Sequence, residues 1–252
     1  EDDRNAPTDT QVEVISLAQL AERGRAKLAA DSSLVTSTID AIESDNLSTL
    51  IYTSGTTGRP KGVELTHGAW TFEGASMNTV DIVYEDDLQY LWLPLSHVFG
   101  KCLLAVQLAV GFATAIDGRI DRIVTGLGEV KPTFMCGAPR IFEKVRIAVL
   151  TKSAPGSLAG RIAQWAFAVG RDSRPYRLEG RPMPKALAVK YAIADKLVFS
   201  KLKATMGGRM RFFMSGSAKL SEQVQAWFYS AGLTVVEGYG ATEISAIASV
   251  NN

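Results

Sequence analysis

The stretch "IYTSGTTGRPKG", residues 51–62, decides the fold expected of this chain. It places glycine and hydroxyl residues directly after the apolar, β-branched run "LSTLIY", which is typical of a strand. Small side chains let backbone N–H groups approach an anion, hydroxyls add donors, and a lysine adds positive charge. We therefore predict a strand that ends in a phosphate-binding loop. The predicted loop residues are Thr53, Ser54, Gly55, Thr56, Thr57, Gly58 and Lys61.

Two other interpretations of this loop compete with that one. The P-loop pattern G-x-x-x-x-G-K-[ST], started at Gly55, would place Pro60 on its second glycine and Gly62 on its magnesium-binding hydroxyl, so it does not fit. A flexible linker is the other alternative, because glycine, serine and threonine are common in linkers. The strand before the loop and the proline beside Lys61 favour an ordered loop instead.

Composition limits the class of protein. The chain has 252 residues, 46% of them hydrophobic, and a net charge of +1, so it can bury a sizeable core and gives no overall case for nucleic-acid binding. Cys102 and Cys136 have apolar neighbours and no C-x-x-C spacing, which predicts reduced core residues. The apolar stretch 103–116 is short and interrupted, so we expect a core helix and not a membrane span. These features, with no recognisable signal peptide, predict a cytoplasmic protein.

The sequence changes character at residue 47. Residues 1–46 carry ten acidic against four basic residues, with helical periodicity only in "VISLAQLAERGRAKLA", and predict an acidic lead-in with one helix. From there to residue 252, short strands alternate with helices, which predicts an α/β fold with a mostly parallel sheet flanked by helices. The expected strands lie in "LQYLWLP", "TFMCG", "MRFFMS" and "LTVVEG", and the expected helices in "RIFEKVRIAVL" and "SEQVQAWFYSAG".

Residues 144–211 form a basic segment, with fifteen Lys or Arg residues against three acidic ones. Its first half has the glycine and proline content of an insertion, and "ALAVKYAIADKLVFSKLKA" predicts a basic amphipathic helix. An ordinary solvated face would explain this charge. Peripheral contact with an anionic membrane, or attraction of an acidic substrate such as CoA, is the functional alternative.

A second motif, "GYGATE" at residues 238–243, follows the strand predicted in "LTVVEG". Gly238 and Gly240 allow close backbone approach, Tyr239 offers a flat face for a base, Thr242 offers a hydroxyl, and Glu243 is a suitable magnesium ligand. Alone, a Gly-Tyr-Gly turn is more typical of a hairpin loop. The motif gains meaning from its combination with the first loop.

Together the two motifs resemble the adenylate-forming superfamily of acyl-CoA synthetases, luciferases and peptide-synthetase adenylation domains. The resemblance implies that the first loop holds the triphosphate of ATP, Tyr239 stacks on adenine, and Thr242 contacts the α-phosphate. It also implies that Glu243 and Thr53 hold Mg²⁺. Such chemistry depends on positioning and charge neutralisation, so no covalent nucleophile is needed.

Two further stretches fit the same resemblance. "MSGSAKLS", residues 214–221, resembles the motif that lines the adenine pocket and points to Gly216, Ser217 and Ala218, although a strand-to-helix turn with Ser221 as N-cap is compatible. His97, in "LPLSHVFG", matches a histidine between the acyl tunnel and the α-phosphate, with a purely structural histidine as the alternative. The candidate catalytic residues are Lys61, His97, Thr242 and Glu243.

The stretches "GAPRIFEKV" and "ADKLVFSKLKATMGGRMRFFMSGSAKLS" resemble long-chain acyl-CoA synthetases more than acetate, aryl or amino-acid activators. We therefore expect an ATP-dependent long-chain fatty acid:CoA ligase that uses ATP, Mg²⁺ and CoA. The alternatives are a fatty acyl-AMP ligase and a nucleotide-binding module without catalysis. The resemblance covers residues 47–247, and the family's ribose-binding aspartate, hinge and C-terminal domain have no counterpart. Residues 47–252 are thus expected to be part of the large N-terminal domain.

Overall fold

A computed structural model describes residues 13–54, 58–152 and 156–251 of the chain. The chain forms two compact units, and the boundary between them lies between residues 46 and 47. In the first, α1 (Leu17–Ala30) begins at a capping box formed by Ser16 and Gln19, and α2 (Leu34–Asp40) follows. Neither helix has a buried residue, which agrees with a solvated segment. The prediction of a single helix was wrong, since α2 is a second one. Helix α2 could not be recognised in the sequence because seven residues are too few to show a periodic pattern.

The second unit contains the strands and most of the helices. Its strands are β1 (Leu47–Thr53), β2 (Lys61–Thr66), β3 (Leu88–Leu91), β4 (Ala113–Ile116), β5 (Phe134–Gly137), β6 (Phe212–Ser215), β7 (Thr234–Tyr239) and β8 (Ser249–Val250). Its helices are α3 (His67–Val80), α4 (Val98–Val110), α5 (Ile123–Val130), α6 (Pro139–Lys152), α7 (Leu158–Leu178), α8 (Lys185–Ala194), α9 (Ser200–Thr205) and α10 (Glu222–Ser230).

The strands form two sheets. β1 and β2 make an antiparallel hairpin in which Thr53 pairs with Lys61, so the loop of the first motif connects its two strands. The other sheet has the order β4-β3-β5-β6-β7-β8, and its pairs are parallel except for β7 with β8. This confirms the expected α/β fold with a mostly parallel sheet.

The hydrophobic core lies on both faces of the six-stranded sheet. Along β5 and β6, Met135 and Phe213 contribute to the cluster shared with α6, α7 and α10, while Phe134 and Met214 contribute to the cluster shared with α3 and α4. The alternation follows from the period of two in a strand. Because both faces are covered, β5 and β6 are apolar except for Ser215 at the end of β6, as expected of buried parallel strands.

The stretch 103–116 is only partly helical. Helix α4 ends at Val110, and Gly111 follows with φ 95°, a left-handed conformation that commonly ends helices. The remaining residues form β4, which pairs in parallel with β3. The expectation of one core helix was wrong, because an apolar run does not distinguish a buried helix from a buried strand.

The first half of the basic segment is not an irregular insertion. It contains α7, a helix of 21 residues with Pro175 near its end. A Cβ on Gly170 would lie 2.6 Å from the carbonyl oxygen of Ser230, so this glycine permits close approach to α10. The helix predicted at residues 186–204 is confirmed, although a π-turn, Asp195–Phe199, separates α8 from α9.

The amino-terminal edge of the parallel sheet is closed by a buried polar cluster. Thr133 Oγ1 donates to Asp87 Oδ1 at 2.5 Å and accepts from the Leu88 N–H at 2.8 Å, while Arg211 forms an ion pair with Asp87. Burial acts to raise the pKa of Asp87, but the hydrogen bonds from Arg211 and Thr133 outweigh it and lower that pKa. Asp87 is therefore a charged, fully partnered group.

Candidate functional site

A cleft of about 220 Å³ lies at the carboxyl-terminal edge of the parallel strands. Its walls come from the loop after β3 and from the ends of β6 and β7, and ligand sites of open α/β sheets commonly lie at this edge. The cleft brings together seven residues singled out from the sequence. These are His97, Gly216, Ser217, Gly238, Tyr239, Gly240 and Thr242.

Two of the cleft glycines are required by close contacts. A Cβ on Gly216 would lie 2.9 Å from the ring of Phe99, and a Cβ on Gly240 would overlap the carbonyl oxygen of Ala246. Side chains at either position would force neighbouring atoms to move. Gly238 is less constrained, since its nearest neighbour would be the sulfur of Met214 at 3.6 Å.

The backbone around the cleft is strained. Ser217, Ser245 and Ala246 have φ values of 69°, 63° and 101°, in the left-handed region that disfavours residues with a side chain. The last two follow a 3₁₀ turn, Thr242–Ile244, which a hydrogen bond from the Ala246 N–H to the Ala241 carbonyl closes at 3.1 Å. Strain of this kind is concentrated at functional sites.

The adenine-motif residues differ in exposure. Tyr239 is 72% exposed, so a face of its ring is available to a ligand. Thr242 is half-buried in the cleft wall, whereas Glu243 is exposed and, among the described residues, is not part of that wall. Ala218 is also exposed and lies beside the cleft, outside its lining.

The hairpin places the first motif next to this turn. Strand β2, which begins at Lys61, packs against the turn Thr242–Ile244, so the two predicted motifs are neighbours. Thr53 is half-buried, Ser54 and Lys61 are exposed, and Gly58 has φ 82°. The other predicted loop residues, Gly55, Thr56 and Thr57, lie outside the described residues.

His97 both caps a helix and lines the cleft. It is the N-cap of α4, where its Nδ1 accepts a hydrogen bond from the Phe99 N–H at 3.4 Å, and its ring lines the cleft. Because Nδ1 is the acceptor, the neutral ring carries its proton on Nε2. A donor is therefore available beside the cleft, so the two interpretations of His97 are compatible.

Two glutamates that support the cleft were missed in the sequence. Glu73 on α3 is 3% exposed, and its Oε1 accepts from the N–H of Ile247, a cleft residue, at 3.2 Å. Burial raises its pKa to about 7, and the hydrogen bond from Ile247 lowers it only in part. Glu237 Oε1 accepts from the Leu220 N–H at 2.8 Å and ties β7 to the loop after β6. Neither contact had a sequence signal, because it forms only on folding.

Three smaller expectations concern Ser221 and the two cysteines. Ser221 is the N-cap residue of α10, but its side chain makes no capping hydrogen bond. Cys102 and Cys136 are buried and free, as predicted, and burial raises the pKa of each thiol.

The described residues include neither a metal-binding cluster nor a membrane-spanning helix. They contain no group of three or more His, Cys, Asp or Glu side chains that could hold a metal ion. None of the helices they form is long and apolar enough to cross a bilayer.

The family follows from a comparison of the whole sequence. A model of the AMP-binding enzyme family matches residues 1–252. The chain belongs to this family. It is 33% identical over 232 residues to the long-chain-fatty-acid–CoA ligase FadD15 of Mycobacterium tuberculosis, covering 91% of this chain and 38% of that relative. It is 31% identical over 248 residues to the peroxisomal long chain acyl-CoA synthetase 7 of Arabidopsis thaliana, covering 96% and 33%. The chain thus spans about a third of the length of these relatives.

Solved structures share the fold. The o-succinylbenzoate coenzyme A synthetase of Bacillus subtilis, in complex with ATP and magnesium, superimposes with a TM-score of 0.55 at 18% identity, covering 84% of this chain and 34% of that one. Apo MatB from Rhodopseudomonas palustris gives 0.55 at 20% identity, covering 83% and 32%. The fold is that of the N-terminal domain of adenylate-forming enzymes.

Proposed function

We propose that this chain is the ATP-binding part of a long-chain fatty acid:CoA ligase, which forms an acyl-AMP with release of pyrophosphate and then transfers the acyl group to CoA. One observation carries the proposal. The cleft joins His97, the Gly216 loop and residues Gly238–Thr242, and strand β2, which begins at Lys61, packs against the Thr242–Ile244 turn. The names of the relatives support a fatty acid as the carboxylate.

We assign the adenine and the α-phosphate of ATP to separate parts of this arrangement. Tyr239 would stack on adenine, whose edge would face the backbone of Gly216, Ser217 and Ala218. Gly216 and Gly240 allow the backbone to pack closely against Phe99 and Ala246, which shapes the surface that the nucleotide would contact. Thr242 would donate to the α-phosphate.

The triphosphate would lie between the cleft and the hairpin loop. Thr53 to Gly58 would supply hydroxyl and backbone donors there, and Lys61 would supply positive charge. Both groups stabilise the charge that moves onto pyrophosphate as the P–O bond breaks.

Magnesium fits the available ligands. Mg²⁺ is usually held by one or two carboxylates together with phosphate oxygens and water, so it needs no cluster of acidic residues. Glu243, with the hydroxyl of Thr53, matches that pattern. When bound, the ion would neutralise charge on the phosphates.

On the acyl side, Nε2–H of His97 would donate to the fatty-acid carboxylate and orient it toward the α-phosphate. The carboxylate oxygen then attacks phosphorus and pyrophosphate leaves, so no protein nucleophile is needed. In the second step the thiolate of CoA displaces AMP from the acyl carbon. We assign the complete reaction to the protein that contains this chain.

The test is Lys61→Ala in that protein, assayed by ATP–pyrophosphate exchange with palmitate. Loss of a charged contact to phosphate should cost about 1.5 to 3 kcal/mol, or roughly 10- to 150-fold in exchange rate. Lys190→Ala, which removes another exposed charge from α8, is the matched control and should exchange normally. Equal exchange by Lys61→Ala and the parent would rule out the triphosphate role.

The magnesium assignment is tested separately with Glu243→Gln. The variant should need more Mg²⁺ for half-maximal exchange, because an uncharged amide is a poorer magnesium ligand. Glu179→Gln serves as the control for loss of an exposed carboxylate. A Mg²⁺ titration that coincides with the parent's would contradict the assignment. Thioester formation in the same assay separates a CoA ligase from an enzyme that stops at acyl-AMP.

A further inference from the structure

A second concave site lies on the other face of the sheet, between α6, α7 and α10. This groove has a volume of about 540 Å³ and, among the described residues, shares none with the nucleotide cleft. Its floor is apolar, since the rings of Phe167 and Trp227 stack with centroids 4.7 Å apart. Val149 and Leu150 extend this apolar surface along α6. The groove therefore offers a surface suited to an acyl chain.

The polar lining of the groove is cationic. Arg146, Arg171 and Arg174 line it, and no Asp or Glu does so in the part of the chain that the structure describes. Arg174 makes no ion pair with any described residue, and the carboxylate of Asp172 lies 3.9 Å from Arg171 with both side chains exposed. Such an exposed, distant pair neutralises little charge. The groove is therefore electropositive.

Two donors in the groove are buried without an acceptor. Nε of Arg146 and Nε1 of Trp227 have no hydrogen-bond partner among the described residues, and Trp227 is only 8% exposed. Buried donors are rarely left without an acceptor in folded proteins, because the lost hydrogen bond to water is not replaced. Arg146 also forms no ion pair with a described residue, so an anionic headgroup would neutralise its charge, whereas Trp227 lies in the apolar floor of the groove.

The helices around the groove carry exposed apolar side chains. Ile147 on α6 is 59% exposed, and Leu158 and Trp165 on α7 are 74% and 37% exposed. They belong to the segment 144–211, with its fifteen basic and three acidic residues. Exposed aliphatic and aromatic residues combined with an excess of Lys and Arg are typical of surfaces that bind anionic membranes.

We propose that this groove binds one anionic lipid of a bilayer, with the lipid headgroup on Arg146 and Arg174 and an acyl chain along Phe167 and Trp227. The protein would then sit peripherally on an anionic membrane, held at α6 and α7. The site is independent of the nucleotide cleft, so it stands or falls separately from the proposed ligase activity.

The first experiment measures binding to sedimented vesicles of phosphatidylcholine with and without phosphatidylglycerol. The parent should bind only the anionic vesicles, and Arg146→Gln/Arg174→Gln should lower the partition coefficient about tenfold or more. Lys190→Gln/Lys201→Gln is the matched control, because it removes two exposed charges from the same segment outside the groove and should change binding less than twofold. Equal losses in both variants, or no binding by the parent, would overturn the proposal. Circular dichroism checks that each variant is folded.

The second experiment tests whether the acyl chain enters the groove. Phosphatidylglycerol with brominated acyl chains should quench the fluorescence of Trp227, so Trp227→Phe should lose the quenched component while Trp70→Phe, in the opposite core cluster, should retain it. Quenching that Trp165→Phe abolishes and Trp227→Phe leaves intact would show contact without groove occupancy and would overturn the proposal. Displacement from vesicles by equimolar soluble glycerol phosphate would also overturn it, in favour of a site for free phosphate.

Discussion

The two edges of the parallel sheet differ in their structure: one is closed by paired polar side chains, and the other leaves a cleft bordered by strained backbone. At the amino-terminal edge, Asp87, Thr133 and Arg211 pair with one another, and the buried carboxylate has its partners within the protein. At the carboxyl-terminal edge, a cleft remains between strand ends, with glycines at close contacts and residues such as Ala246 held at positive φ. The same strands thus end in a closed, stabilising edge and an open, strained one. Strained backbone persists where the rest of the fold is stable enough to hold it.

The largest effect that would test this contrast is at the closed edge. Asp87→Ala leaves the Thr133 hydroxyl and the Tyr84 N–H without an acceptor and removes the ion-pair partner of Arg211, which should cost about 2 to 4 kcal/mol of unfolding free energy. Urea unfolding measures it. Glu179→Ala, which breaks an exposed ion pair with Arg181, should cost less than about 1 kcal/mol. Similar losses of unfolding free energy in the two variants would mean that the polar cluster at the closed edge contributes no more stability than an exposed ion pair.

A pH-dependent effect is expected near the open edge. The pKa of Glu73 is raised from 4.5 to about 7 by burial, so between these values the folded protein keeps a proton that the unfolded chain has released. Stability should therefore be highest below pH 4.5 as far as this group is concerned, fall as the pH rises toward 7, and stay low above it. The contribution is at most about 3 kcal/mol.

Glu73→Gln checks that contribution, because the amide oxygen can still accept from the Ile247 N–H but cannot ionise. Urea unfolding of parent and variant should differ more at pH 8 than at pH 5, with the variant the more stable at pH 8. A constant difference across this range would show that Glu73 is not the titrating group.

A smaller effect is expected at Gly216, inside the cleft. The Cβ of Gly216→Ala would press on the Phe99 ring from 2.9 Å, so this ring, which lines the cleft, must move. We expect a loss of about 1 kcal/mol in ATP affinity, or roughly fivefold in KM for ATP, together with a loss of about 1 kcal/mol in stability, because overpacking against a buried ring is destabilising. Gly118→Ala, which meets no atom within 4 Å, is the control. An unchanged KM at Gly216→Ala would place the nucleotide elsewhere.

The features that could be predicted from the sequence are local in the chain. The strand "LSTLIY" depends on residues next to one another and lies where its pattern indicated, whereas β7 continues to Tyr239, so Gly238 and Tyr239 belong to that strand and the turn comes after them. Helix α1 and the strand β6 were predicted for the same reason.

The features that were missed depend on contacts between distant residues. Glu73 meets Ile247 across 174 positions and Arg211 meets Asp87 across 124, so no local pattern could indicate either pair. Helix α7 was misread because Gly160 and Gly170 are buried packing positions, whereas in a sequence glycines usually indicate turns. The cleft was predicted as separate motifs, and only the sheet order brings His97 beside Thr242.

The β1–β2 hairpin has a mechanical consequence. Its two strands bond to each other and, in the part of the chain that the structure describes, to no strand of the six-stranded sheet. What fixes it against the main body is the packing of side chains such as Ile51 and Leu65, both almost fully buried. Rotation of the hairpin as a rigid body would therefore leave the β1–β2 pairing and the pairings of the six-stranded sheet intact. It would only move the apolar side chains of the hairpin relative to those they pack against. Thr53 and Lys61 lie at the end of the hairpin far from its base, so a small rotation at the base would displace these two residues furthest.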